Sequence, residues 1–385
     1  MSKPALGRLE VYIICLCLLT VWTFLFPQLF SSTVTVFYYH VSSSLIVKSP
    51  NQAETPRQSP IEIVLPGCAD RLPDAMNLVK SIFLASEPKN HVTVYLFTEL
   101  VNWNRTEREF RKLTSSLAFI EKYLTLRLLD PALKSLDHQK LPKNRTGTEA
   151  CGPDLTAFLP VILPNSQGAI VLEPNALMLG SVQELWSQFS KMNSKQVIGV
   201  ALQRELASFG WYNSWSRRAF APPFEIHPGV ILMNLTRLRN EGFTEALLKI
   251  QSGATNQTQL LPSTALNQYF YLNPDKLFLL PCKWNLREDH CGEESKKCKS
   301  AEEDGAGIIQ LPHNSSGLPD KRTVTQKDFY SVSDYIENFD PTDPKTMIRL
   351  MDPLMASLNN KTLPTSNLCR ASLLRGLERQ RTQKN

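Results

Sequence analysis

The side chains best able to bind or react lie in the middle and the last third of the chain. Of eight cysteines, Cys15 and Cys17 fall inside an apolar N-terminal run, which leaves Cys68, Cys151, Cys282, Cys291, Cys298 and Cys369. Six in an oxidising compartment read as up to three disulfides, with 15 connectivities that spacing alone does not separate. Cys282, His290, Cys291 and Cys298 also offer zinc-type ligands, but the set lacks the Cys-x-x-Cys spacing common in structural zinc sites. Trp211, Tyr212 and Trp284 present aromatic faces that either pack in a core or stack on a sugar ring. Asn285 and Asp289 follow the last of these and either meet the same ligand or cap a turn. His227, next to Pro228-Gly229, is either a proton-exchanging group or a structural one at a strand start. Six Asn-x-Ser/Thr glycan acceptors occur, at Asn104, Asn144, Asn234, Asn256, Asn314 and Asn360.

Positioning these groups requires a folded body, and the sequence divides accordingly. Leu9 to Phe26 is apolar apart from Glu10 and two threonines, and PQLF carries it on to Phe30, about the roughly 20 residues a bilayer needs. Lys3 and Arg8 precede the run and no basic residue follows until Lys48, so residues 1–8 are expected in the cytoplasm and the rest in a lumen. No Ala-x-Ala cleavage site favours a removed signal peptide. The division expected is a tail over 1–8, a transmembrane signal anchor over 9–30, a stem over 31–60 and one large lumenal domain over 61–385. Lys+Arg exceed Asp+Glu by 42 to 36, a net +6 spread along the chain, which gives no reason to expect a nucleic-acid partner. Twenty-six prolines argue against a long coiled coil.

Within the body, apolar runs alternate with helical periodicity. Strands are predicted over Ile61 to Leu65, Val92 to Thr98, Leu124 to Leu129, Ala169 to Leu172, Gln196 to Leu202, Gly229 to Met233, Lys276 to Leu280 and Gly307 to Leu311. Helices are predicted over Leu72 to Ala85, Thr106 to Tyr123, Asp154 to Leu163, Val182 to Met192, Leu235 to Ile250, Gln326 to Ile336 and Lys345 to Leu358. The basic tail beyond Arg370 reads as a solvated helix. The alternation implies an α/β fold with a mostly parallel sheet flanked by helices. Ligands of such sheets bind at the carboxyl ends of strands, which directs attention to the loops after Leu65, Leu172, Met233 and Leu311.

GWYNSWSRRAF and IHPGVILMNLTRLR, between Gly210 and Arg239, with NPDKLFLLPCKWNLREDHC from Asn273 to Cys291, resemble glycosyltransferase family 8, and within it the glucoside xylosyltransferases. The resemblance runs from about Ile61 to Cys369 and includes Cys68-Ala69-Asp70-Arg71-Leu72, CGPDLTAFLPVIL after Cys151, and LMLGSVQELW. It implies a GT-A fold and a type II membrane enzyme of the endoplasmic reticulum or Golgi. Such an enzyme moves xylose from UDP-xylose to O-linked glucose on EGF-like repeats of glycoproteins. It also implies nucleotide-sugar contacts at Cys68, Arg71, Glu173, Asn175, His227 and Gly229, and acceptor contacts at Trp211, Tyr212, Trp284 and Asn285.

A departing nucleoside diphosphate carries negative charge that the family neutralises with a divalent cation such as Mn²⁺, held by an Asp-x-Asp pair and a histidine. Here the pair is Glu173-Pro174-Asn175, and the histidine position is Gln310, with His313 three residues on. The family's Asn-Ser-Gly is His227-Pro228-Gly229, its Asp-Gln-Asp falls near Pro262-Ser263-Thr264, and an arginine is replaced by Thr156. The metal ligands expected from the resemblance are therefore Glu173, Asn175 and Gln310. Three outcomes follow: a xylosyltransferase, a transferase with another nucleotide sugar, or a non-catalytic protein that keeps the fold and binds glycoprotein.

Overall fold

The computed structural model describes residues 60–68, 71–87, 90–115, 124–130, 155–202, 225–252, 262–291, 298–312, 323–340, 343, 345–359 and 369–384. Gln58–Asn385 is one compact unit; residues 1–57, with the expected anchor and nearly all of the expected stem, lie outside the described residues. Among the described residues no helix is long and apolar enough to cross a membrane.

Seven strands form the main sheet: β1 (Ile61–Pro66), β2 (Val92–Phe97), β3 (Leu124–Leu129), β4 (Ala169–Leu172), β6 (Ile198–Leu202), β7 (Ile226–Met233) and β8 (Leu277–Leu279). Their order is β3-β2-β1-β4-β7-β6-β8. A separate two-stranded ribbon joins β5 (Ala176–Met178) to β9 (Ile308–Gln310). Every neighbouring pair in the large sheet is parallel except the two that involve β7. Strand β4, AIVL, is buried at all four positions, as the centre of a sheet covered on both faces requires. The mostly parallel α/β sheet expected from the alternating pattern is present, with β7 its reversed member.

Helix α1 (Leu72–Ala85) buries Leu72, Ala75, Leu78, Val79, Ile82 and Phe83, a stripe at three- and four-residue steps. Helix α2 (Trp103–Ser115) begins three residues before its expected start. In α3 (Leu155–Ile162), Pro160 removes one backbone donor. The carbonyls at its end are gathered by Arg239, which donates to Leu163 O at 3.0 Å and Ser166 O at 2.7 Å. Helix α4 spans Val182–Ser187 and tightens into a 3₁₀ turn over Gln188–Lys191.

The single helix expected over Leu235 to Ile250 is two, α5 (Leu235–Asn240) and α6 (Phe243–Ser252). Gly242 separates them at φ 62°, the left-handed conformation in which glycine ends helices. Helices α7 (Pro262–Leu272) and α8 (Lys299–Asp304) follow, then α9 (Val324–Asn338) and α10 (Thr346–Leu358).

The basic tail is helical as α11 (Cys369–Lys384), but it is not a solvated helix. Ser372, Leu373, Leu377 and Gln380 are buried, and Arg370 makes a two-pronged ion pair with Asp328 of α9 at 2.7 and 3.0 Å. Basic residues mark its outer face, while a smaller apolar set that charge counting overlooks decides where it lies.

Two disulfides fix the last third, Cys282–Cys298 and Cys291–Cys369. Cys68 is also disulfide-bonded, and Cys151 lies outside the described residues. The zinc alternative is thereby excluded, because the sulfurs of Cys282, Cys291 and Cys298 are bonded to other sulfurs rather than available as thiolates.

Candidate functional site

The carboxyl ends of β1 and β4 open onto one place, and the reversal of β7 brings its amino end there too. This corrects the expectation for Met233: it ends a strand running opposite to β4 and pairs with Ala169, at the far edge of the sheet. Its counterparts at the near edge are His227 to Gly229. Backbone bonds tie the segments together, with Glu173 N–H donating to Gly229 O at 3.0 Å and Ala176 N–H to Glu173 O at 3.0 Å. The ribbon closes the floor by pairing Ala176 with Gln310.

Glu173 is half-buried, and burial pushes its carboxyl above the usual carboxylate range while the nearby Arg71 guanidinium pulls it back. Asn175 is buried; its Nδ2 donates to Leu311 O at 2.9 Å, and Leu311 N–H donates to Asn175 O at 2.8 Å. That leaves Asn175 Oδ1 buried without a hydrogen-bond partner. Gln310 is 4% exposed, and both Oε1 and Nε2 of its carboxamide lack a protein partner. The carboxamide presses on Gly229 so closely that a Cβ there would lie 2.3 Å from Gln310 Nε2. His227 Nδ1 accepts from Gly229 N–H at 3.1 Å, which turns the ring back over the strand end.

On the other side of His227 is a charged turn. Arg287 pairs with Asp289 at 3.1 Å and its Nη1 donates to Leu202 O at 3.4 Å. Burial opposes ionisation of Asp289, yet Arg287, with smaller contributions from His290 and His227, holds its carboxyl below the usual range. His290 is buried, its Nδ1 accepts from Arg287 N–H at 3.1 Å, and burial with Arg287 beside it lowers its pKa to about 4.

Of the nucleotide-sugar residues expected from the sequence, Glu173, Asn175, His227 and Gly229 gather here, joined by Gln310, expected as a metal ligand, and the Arg71 charge acts on Glu173. Cys68 ends the β1 loop, its sulfur 3.5 Å from Phe97 O, and is buried and disulfide-bonded, so it contributes shape and backbone rather than a thiol. Trp284 and Asn285 do not lie on an acceptor surface. Both are completely buried, with Trp284 wedged between Gly180 and Gly307. They pack the ribbon against the body instead of stacking on a sugar. Asn285 keeps both amide atoms unpaired in the interior. Thr156 is buried in α3. Trp211, Tyr212 and His313 lie outside the described residues, as do the acceptors Asn144, Asn256, Asn314 and Asn360. Asn104 is exposed on α2, whereas Asn234 is half-buried and caps α5 by accepting from Arg237 N–H at 3.0 Å. The Arg287, Asp289 and His290 cluster was not expected as a unit. A charged, histidine-containing EDH turn just before a cysteine was its only sequence signal.

The divalent cation that the resemblance implies is not matched by these side chains. Among the described residues Glu173 is the one carboxylate next to Asn175 and Gln310, which offer neutral oxygens, and the Arg71 charge acts on it. Among the described residues no three His, Cys, Asp or Glu side chains converge as a metal site would need. A divalent cation is dehydrated at a cost that anionic oxygens offset and a neighbouring guanidinium increases.

No protein-family model matches the chain. Its sequence is 28% identical over 302 residues to glucoside xylosyltransferase 2 of Xenopus laevis, covering 74% of this chain and 68% of that protein. Against glucoside xylosyltransferase 2 of Mus musculus it is 28% identical over 290 residues, 71% of this chain and 62% of that one. The chain thus spans about two thirds of the length of the curated relatives it matches. In structure it resembles the galactosyltransferase LgtC in complex with donor and acceptor sugar analogs, with a TM-score of 0.51. That likeness covers 71% of this chain and 95% of LgtC at 12% identity, a similarity of fold. The chain is thus similar in sequence to the glucoside xylosyltransferases and shares the α/β fold of LgtC.

Proposed function

We propose that this protein is a glycosyltransferase of the secretory-pathway lumen that binds UDP-xylose at the carboxyl edge of β1 and β4. The acceptor is an O-linked glucose on an EGF-like repeat. One observation carries the reading: similarity to glucoside xylosyltransferases coincides with a cluster of polar groups at the strand ends, Glu173, Asn175 and Gln310 packed around Gly229. Buried amide atoms without partners are few and call for an explanation; unlike Asn285 and Gln380, which are unpaired in the interior, Asn175 and Gln310 lie at the strand ends, where a nucleotide would complete them. The Cys282–Cys298 and Cys291–Cys369 bonds support an oxidising compartment. An anchor over residues 9–30 would hold the domain at the membrane with its body in the lumen.

Incubation of the protein with radiolabelled UDP-xylose and an O-glucosylated EGF-like repeat tests this. Label on the glycosylated repeat and none on the unmodified repeat is expected. Transfer from UDP-glucose or UDP-galactose in place of UDP-xylose would reassign the donor. A second reading, a binding protein without transfer, is favoured by the neutral Asn175 and Gln310 where the family has charged or metal-binding groups. Tight UDP binding with no transfer from any of these donors would establish it.

A further inference from the structure

We infer that this polar cluster holds the diphosphate of its nucleotide without a divalent cation, with the Arg71 guanidinium and the Gln310 carboxamide serving where a metal would otherwise sit. This rests on the nucleotide-site reading above and adds how the charge is met. A diphosphate needs positive charge and hydrogen-bond donors. A metal site supplies the first through the ion and needs acceptor atoms from the protein. Here the protein supplies the reverse set.

Gln310 presents an amide N–H₂ that no protein group satisfies, in a side chain that is 4% exposed. An imidazole at that position would offer a metal its lone pair, whereas a carboxamide can donate directly to a phosphate oxygen. Gly229 makes this arrangement possible, because only the absence of a Cβ leaves space for the amide end of Gln310. Asn175 cannot turn its Nδ2 toward a ligand without leaving Leu311 O, so its Oδ1 is the amide atom left without a partner beside Gln310, the one a ribose or sugar hydroxyl would meet. Arg71 follows the β1 loop, and its charge is close enough to act on Glu173, so it is the cation available to a phosphate bound at these strand ends.

Calorimetric titration of the full-length, detergent-solubilised protein with UDP, once in EDTA and once in Mn²⁺, tests the inference. The dissociation constants are expected to agree within about twofold, and Mn²⁺ alone is expected to show no stoichiometric site. Arg71→Gln should weaken UDP at least tenfold in EDTA. The double variant Asn175→Asp, Gln310→His should make UDP binding depend on Mn²⁺. UDP binding at least tenfold tighter with Mn²⁺ in the unaltered protein would overturn the inference and leave the nucleotide site standing. An absence of UDP binding in both buffers would overturn the nucleotide site itself and the inference with it. The comparison of the two buffers uses the unaltered chain, so it holds even if a variant fails to fold.

Discussion

Gly307 and Gly229 each make room for a large neighbouring side chain, and the two spaces are filled in opposite ways. At Gly307 the neighbour is Trp284, a completely buried indole that a Cβ would approach to 2.6 Å. At Gly229 it is the carboxamide of Gln310, 2.3 Å from where a Cβ would be, with neither of its polar atoms paired. The first space is packed to hold the ribbon on the body. The second is just as tight and leaves more unpaired: the indole lacks a partner for its one N–H, the carboxamide for both of its polar ends. Packing at one glycine serves stability, and the unsatisfied amide at the other costs stability in the free protein, a cost that the proposed nucleotide would offset.

The packed region should show the largest energetic effects. Replacing Cys291 and Cys369 by serine opens a bond between residues 78 apart, which loop-closure entropy values at about 4 kcal/mol. A urea midpoint that falls accordingly is expected, and a shift worth under about 1 kcal/mol would show that α11 is held by its other contacts. Next is His290. The unfolded imidazole titrates near pH 6.5 while the folded one is held to about 4, chiefly by burial and then by Arg287. The unfolded chain therefore binds the proton first, so stability is complete above about pH 6.5 and drains by about 3 kcal/mol as the pH falls through 4. His290→Gln, whose carboxamide oxygen can still accept from Arg287 N–H, should flatten that slope in thermal melts. An equal slope in the variant would place the acid sensitivity elsewhere.

The two glycines then separate the regions directly. Gly307→Ala forces a methyl onto the indole ring and should lower stability by about 2 kcal/mol with UDP affinity unchanged. Gly229→Ala meets the end of a flexible side chain that can withdraw, so it should cost under about 1 kcal/mol and instead weaken UDP. Paired chemical denaturation and UDP titration would break the comparison if the two variants behaved alike.

Much of this architecture was legible in the residues. IEIVL, LTLRLL and AIVL read as strands because short apolar runs bounded by turn residues have few alternatives, and α1 read as a helix from its stripe. The break at Gly242 was not foreseen, since helical periodicity runs through it and only the left-handed φ ends the helix. Nor was the reversal of β7, because an apolar strand carries no sign of its direction. For the same reason the loop after Met233 was assigned to the wrong edge.

The candidate site was legible where the resemblance supplied aligned positions, as at Glu173, Asn175, Gly229 and Gln310. It was misleading at Trp284, since a tryptophan looks the same in sequence whether it stacks on a sugar or fills a core. The tail helix illustrates a related limit. RASLLRGLERQRTQK is dominated by charge, yet Leu373, Leu377 and the close approach of Gly376 to Ala306 O decide its position. No composition argument contains that contact.

The central claim, that the carboxamide of Gln310 is kept for a ligand and not for the fold, is tested most directly by Gln310→Leu. Removing an unpaired buried amide should leave stability unchanged or raise it by up to about 1 kcal/mol. UDP affinity, measured on the same preparation in EDTA, should fall at least tenfold. A variant that loses more than about 1 kcal/mol of stability while binding UDP as before would contradict the account.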